Sequence, residues 1–141
     1  KKRMRLVLEE NQRHDFLDPT VTMDEMNRIP TWAAGCVRKC LFKVSNVRAD
    51  IKYPNDLMVQ NQKCAGILSE SVVRGSFVKG VVLGVGVNLN QRVFSEHLAD
   101  CATSLFLLTK RRYNKIGMAR HLTREFIHGL QSNSWCNHHI T

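Results

Sequence analysis

Residues Val81-Val82-Leu83-Gly84-Val85-Gly86-Val87 form an apolar run interrupted only by glycine. Seven residues are too few to cross a bilayer, and the valine content favours a buried strand. Because successive strand side chains point to opposite faces, glycines at 84 and 86 leave one face bare, so a flat group can lie on it. Asn88 at the end of the run adds a donor and an acceptor. The third glycine and the following helix of a dinucleotide fingerprint are absent.

The neighbouring pattern supplies partners for that strand. Residues 57–59 and 63–71 read as strands around the polar Gln60-Asn61-Gln62 turn, and residues 77–89 return across Arg74-Gly75-Ser76. Residues 48–53 read as a further strand entering the Pro54-Asn55-Asp56 turn. Trp32, Ala33, Cys36, Val37, Cys40 and Leu41 recur at helical spacing behind Pro30, which predicts a helix of roughly three turns over 31–43. Ile116, Ala119, Leu122, Phe126 and Leu130 predict a second helical stripe, started by Thr109 or Asn114. The expected fold class is α+β: a mixed or antiparallel sheet with helices on one face. In a chain of 141 residues this makes one domain over 31–131, preceded by an irregular segment 1–30 and followed by a polar, histidine-containing tail 132–141.

Charge and cysteine content narrow the setting. Lys and Arg number 21 against 12 Asp and Glu, and residues 110–141 carry six basic side chains against one acidic. Such a surface attracts polyanions, RNA among them, through the basic 110–124 stretch; a solvated basic helix is the alternative reading. Five cysteines without CxxC spacing point to a reducing intracellular compartment, cytoplasm or mitochondrial matrix. Cys36 and Cys40 read as core residues, with half a zinc site shared with Cys136, His138 and His139 as the minor alternative, so no metal site is assigned.

Two segments carry candidate chemistry. In Lys52-Tyr53-Pro54-Asn55-Asp56-Leu57 two short polar side chains sit on the turn after a proline, and in Lys63-Cys64-Ala65-Gly66-Ile67-Leu68 a lysine precedes a small-residue strand where Gly66 leaves room against the backbone. A cation beside an Asn/Asp pair and a glycine gap suits an anionic or polar ligand. A capped turn with a surface lysine is the plainer reading of the same residues.

In order and spacing, the 51–57 turn, the Lys63 to Glu70 strand and the Gly84-Val85-Gly86-Val87-Asn88 strand resemble the catalytic domain of biotin-protein ligases. The resemblance implies a class II synthetase-like biotin/lipoate ligase fold, ATP-dependent adenylation of biotin, and transfer to a lysine of a biotin-accepting carrier protein. It implies biotin, ATP and Mg²⁺ as cofactors, with Lys63 and Asp56 as catalytic residues and Asn55, Lys63, Gly66, Gly84, Gly86 and Asn88 as ligand-binding residues. Lys63 would meet the biotin carboxylate and the acyl-phosphate link, Asn55 and Asp56 the nucleotide and its metal, and Asn88 the adenylate. Asp56 would also help the incoming lysine lose its proton. All of these must then line one cleft. A lipoate ligase or transferase shares the fold class but suits the Lys-Tyr-Pro-Asn-Asp turn less well.

One family feature is missing from these residues. The family's Gly-Arg-rich phosphate loop has no counterpart, since residues 1–30 contain no glycine. The expectation is therefore a ligase domain that is incomplete or inactive as it stands, either because that loop precedes Lys1 or because activity has been lost. The alternative is a non-catalytic ligase-fold subunit of a large assembly, such as a mitochondrial ribosome or another ribonucleoprotein.

Overall fold

Two tight turns set the register of the sheet. The computed structural model describes residues 4–9, 23–75 and 77–132, and in it strands β3 (Asp56–Val59) and β4 (Gln62–Arg74) meet across the Val59↔Gln62 pair. The two loop residues, Gln60 and Asn61, both adopt positive φ, 51° and 61°, as a two-residue hairpin whose turn follows the strand twist requires. Gly75, at φ 63°, plays the corresponding part between β4 and β5 (Phe77–Val87), where a residue with a Cβ would be strained.

Strand β2 (Asp50–Lys52) adds to β3 and β1 (Met4–Glu9) to β5, giving the order β1-β5-β4-β3-β2 with every ladder antiparallel. The choice between a mixed and an antiparallel sheet is thereby made, apart from a lone parallel bridge between Lys63 and Ala102. Pairings Leu57↔Ala65↔Val87 and Ile67↔Val85 put one set of side chains on the core face, where Leu57, Ala65, Ile67, Leu83 and Val85 are all buried. The intervening set, Asp56↔Gly66↔Gly86 and Leu68↔Gly84, lies on the opposite face.

Helix α1 (Met23–Ser45) covers the core face, with contacts to β2, β3 and β4. It is longer than expected, and Pro30 lies inside it rather than at its start. The apolar spacing continues through the proline: Met26, Ile29, Ala33 and Val37 are all buried, and their packing outweighs the one backbone donor that proline removes. Stretch 1–30 is therefore not irregular throughout, since β1 and the start of α1 fall within it. Residues 10–22, and most of the expected tail, lie outside the described residues.

Helix α4 (Lys115–Gln131) packs on α1. Its start is set by Asn114, whose Oδ1 accepts from the Gly117 amide at 2.9 Å. The buried stripe runs through Met118, Leu122, Phe126 and Leu130, while Ile116, expected on that stripe, is 68% exposed in the first turn. Trp32 and Phe126 close the helix interface edge to face, with ring centroids 5.7 Å apart at 62°. Two short helices that the apolar pattern had not indicated, α2 (Glu96–Ala99) and α3 (Leu105–Thr109), occupy the connection from β5 to α4. Among the described residues no helix is long and apolar enough to cross a membrane.

Candidate active site on the bare sheet face

The pleat brings Asp56, Gly66 and Gly86 side by side on the face away from the helices. Lys63 joins them through a register shift between Leu57 and Met58, after which Lys63 pairs with Met58. Its ammonium lies 2.6 Å from Asp56 Oδ1, with the lysine side chain 47% exposed and the aspartate 26%. The stem runs across Gly66: a Cβ there would sit 2.9 Å from Lys63 Cε, 3.1 Å from Nζ and 3.3 Å from Asp56 Oδ1. Glycine at 66 is thus what lets the lysine cross the strand to reach the aspartate.

Beyond Gly66 the floor is backbone. A Cβ at Gly86 would come within 3.9 Å of only the Gly66 carbonyl among its nearest neighbours, and one at Gly84 within 3.7 Å of Leu68 Cβ. Leu68 itself is half exposed beside this strip. The result is a flat surface that carries the Lys63–Asp56 ion pair and an apolar flank, open enough for a planar or extended ligand.

The asparagines make bonds to the backbone. Asn55 Nδ2 donates to the Ile67 carbonyl at 2.9 Å and the Asn55 carbonyl accepts from the Ile67 amide at 2.8 Å, tying the turn to β4. Asn88 Nδ2 donates to the Thr103 carbonyl at 3.0 Å and to the Lys63 carbonyl at 3.4 Å. The structure therefore brings Lys63, Asp56, Gly66 and Gly86 together with Gly84 alongside, while the amides of Asn55 and Asn88 brace the backbone around them.

A segment not singled out from the sequence completes the bracing. The Lys63 amide donates to the Cys101 carbonyl at 2.8 Å and the Lys63 carbonyl accepts from the Thr103 amide at 3.0 Å. Thr103 and Ser104 are buried, and Ser104 Oγ caps α3 by accepting from the Leu107 amide at 3.1 Å. A serine immediately before a leucine-rich turn was the readable sign of that helix start. On the other side of this segment lies an open cavity of about 380 Å³ whose lining includes Gln60, Gln62, Arg92, Thr103 and Leu107. Lys63, Asp56, Gly66 and Asn88 are not among its lining residues.

Three thiols lie in the core. Burial pushes the thiols of Cys36, Cys40 and Cys64 up to about 12, so they stay protonated. Among the described residues no group of three His, Cys, Asp or Glu could hold a metal ion. Cys136, His138 and His139 fall outside the described residues.

Comparison with known proteins bears on this arrangement. A sequence model of the biotin/lipoate A/B protein ligase family matches residues 22–88, which include the turn, the lysine strand and the glycine strand. The chain carries a biotin-protein ligase-like domain. It is 30% identical over 109 residues to the bifunctional ligase/repressor BirA of Bacillus subtilis, a match covering 76% of this chain and 34% of that protein. A second relative, a biotin-(acetyl-CoA-carboxylase) ligase of Paracoccus denitrificans, is 50% identical over 42 residues, 30% of this chain and 18% of that one. The apo biotin protein ligase of Aquifex aeolicus superposes with a TM-score of 0.74 at 20% identity, covering 92% of this chain and 52% of that one. The biotin complex of the Leishmania major enzyme gives 0.68 at 14% identity, covering 95% and 66%. At such identities the structural likeness is one of fold. The ligase-like chain spans about a third of the length of BirA and about half of the Aquifex chain.

Proposed function

We propose that this domain binds biotin and ATP over the Gly66, Gly84 and Gly86 floor, and that in the complete protein it joins them as biotinyl-adenylate and passes the biotinyl group to a carrier lysine. The observation that carries the reading is the Lys63 ammonium, held across Gly66 by Asp56 above a surface of bare backbone.

The chemistry asks for a cation at that place. A biotin carboxylate oxygen attacks the α-phosphorus of ATP and pyrophosphate leaves, so two anions must approach each other. An ammonium between them lowers their repulsion and stabilises the charge that develops. In the second step the carrier amine attacks the acyl carbon, AMP leaves, and the amine loses a proton. Asp56, on the same floor and already hydrogen-bonded to an ammonium, is placed to receive it.

Mg²⁺ is commonly held by one or two carboxylates together with substrate phosphates, and Asp56 fits that mode. The ion's contribution would be to offset the charge of the departing pyrophosphate. Residues 1–30 offer no glycine for a backbone phosphate cradle. We therefore expect these 141 residues to bind biotinyl-5′-adenylate and to make it slowly.

Isothermal titration with biotin, lipoate and biotinyl-5′-adenylate tests the reading. The adenylate should bind most tightly, and Lys63→Ala should weaken it at least roughly tenfold, as loss of a charge-assisted contact does. Lys39→Ala, at an exposed position on α1, should change nothing. Preference for lipoate, or equal binding by the Lys63→Ala and parent chains, would overturn it.

A further inference from the structure

Charge in this molecule is sorted by layer. Residues 23–48, which hold α1 and its exit, carry five Lys or Arg and two Asp or Glu; residues 103–132, which hold α3 and α4, carry six and one. Residues 49–102, which supply β2 to β5 and the site, carry five of each. Of the three acids in the helical stretches, Glu125 is engaged by Lys43, and Asp24 and Glu25 stand in the first turn of α1. An excess of eight positive charges therefore lies on the helices and their flanking loops, and residues 49–102 with the ligand floor are neutral.

Of the cations in this layer, Lys39, Arg48, Arg112, Lys115, Arg120 and Arg124 are exposed. They are strung along two packed helices of 23 and 17 residues and the loops that flank them, the helices being about 34 and 25 Å long at the usual rise. That is the form of an extended track. Large exposed apolar side chains on the layer are scattered: the guanidinium of Arg48 lies 5.3 Å from the Phe42 ring centroid, and Ile116 and Ile127 stand three turns apart. A membrane-binding helix needs a continuous apolar face, and here the apolar faces of α1 and α4 are used up in the core.

We infer that the α1/α4 layer is a docking face for the phosphate backbone of a nucleic acid, bound without regard to base sequence and leaving the opposite sheet face free for its ligand. Linear spacing of cations, their large excess over acids and lack of a contiguous apolar patch together match a linear polyanion whose binding releases counterions. This inference is independent of the ligase reading, because it uses none of the residues on the ligand floor.

The test measures fluorescence anisotropy of a labelled mixed-sequence RNA duplex with the whole chain over a salt series. Affinity should fall with a log-log slope of about −4 or steeper, the response to several neutralised phosphates. Arg120→Glu with Arg124→Glu should cut affinity at least tenfold and flatten the slope by about 2. Lys52→Glu with Arg92→Glu, both outside the α1/α4 layer, lowers the net charge equally, from +9 to +5, and should change affinity less than threefold. All four side chains are surface groups, and unfolding midpoints of both variants check that the fold is kept. Equal loss in the two double variants would mean that net charge alone acts and would overturn the inference. So would polyglutamate competing as well as duplex of equal charge, tighter binding to vesicles with roughly 30% phosphatidylserine than to duplex, or no binding to the duplex at low salt.

Discussion

Gly66→Ala separates the role of the ligand floor from the stability of the fold. The added methyl would lie 2.9 Å from Lys63 Cε and 3.1 Å from Nζ, so the lysine must leave its path across the strand. It can do so, because the obstructing atoms are the end of a flexible side chain that is 47% exposed. Losing a partly exposed ion pair costs about 0–1 kcal/mol, and replacing glycine by alanine within a strand returns about 0.5–1 kcal/mol. The two nearly cancel, so urea unfolding followed by circular dichroism should show a change within about 0.5 kcal/mol. Ligand binding should respond quite differently. A charge-assisted hydrogen bond is worth about 1.5–3 kcal/mol, so displacing the ammonium should weaken biotinyl-5′-adenylate by roughly ten- to a hundredfold in titration calorimetry. In a Lys63→Ala background the same glycine substitution should then have little further effect on binding, since the group it displaces is gone. A loss of more than about 2 kcal/mol of stability would show that Gly66 is a packing position. Unchanged binding by the stable variant would refute the role given to Lys63.

Other expectations follow from the same geometry. Gly35→Ala in α1 meets nothing within 4 Å and should stabilise the protein by about 0.5–1 kcal/mol, whereas Gly129→Ala in α4 places a methyl 2.9 Å from the Trp32 ring and should destabilise it by up to about 2 kcal/mol; midpoints moving in the same direction would contradict the packing described. Asn88→Ala removes two bonds to backbone carbonyls and should cost about 1–2 kcal/mol in the same unfolding assay. With three thiols pushed up to about 12, brief alkylation of native protein at neutral pH should mark exposed Cys101 well before Cys36, Cys40 or Cys64, as read by peptide mass spectrometry. These thiols also set an alkaline limit. Their ordinary value is 9.0 and burial raises it to about 12, so their stabilising effect is complete below pH 9 and is lost as pH rises toward 12 at about 1.4 kcal/mol per unit for each thiol. A flat stability profile across that window would count against their burial.

Much of the sheet was readable because its signals are local. Strand alternation and the polar turn at Gln60 and Asn61 lie within a few residues of the pairs they create, so β3, β4 and β5 follow from the chain itself. Pro30 misled because proline is a frequent helix start, yet here Met26 and Ile29 gain enough burial to hold a helix through it. Ile116 misled for a similar reason: helical spacing names a stripe, and the packing of α4 on α1 chose Met118 in its place. At the site, the lysine, the aspartate and the glycines were visible as a constellation. The bonds made by Asn88 and the clamp from residues 101–103 were not, because they join stretches far apart in sequence through backbone atoms that every residue shares.

That clamp has a bearing on how the site comes into being. A hairpin of β4 and β5 can form as soon as its own residues are present, but the amide of Lys63 donates to the Cys101 carbonyl and its carbonyl accepts from the Thr103 amide and the Asn88 side chain. The backbone beneath the lysine is thus completed only by the chain leading into α3, while its ammonium is held by Asp56. A chain ending before residue 101 would keep the lysine motif and its aspartate partner and lack this clamp on the strand. The short buried stretch through Thr103 and Ser104 is in this way part of what fixes the strand that carries Lys63.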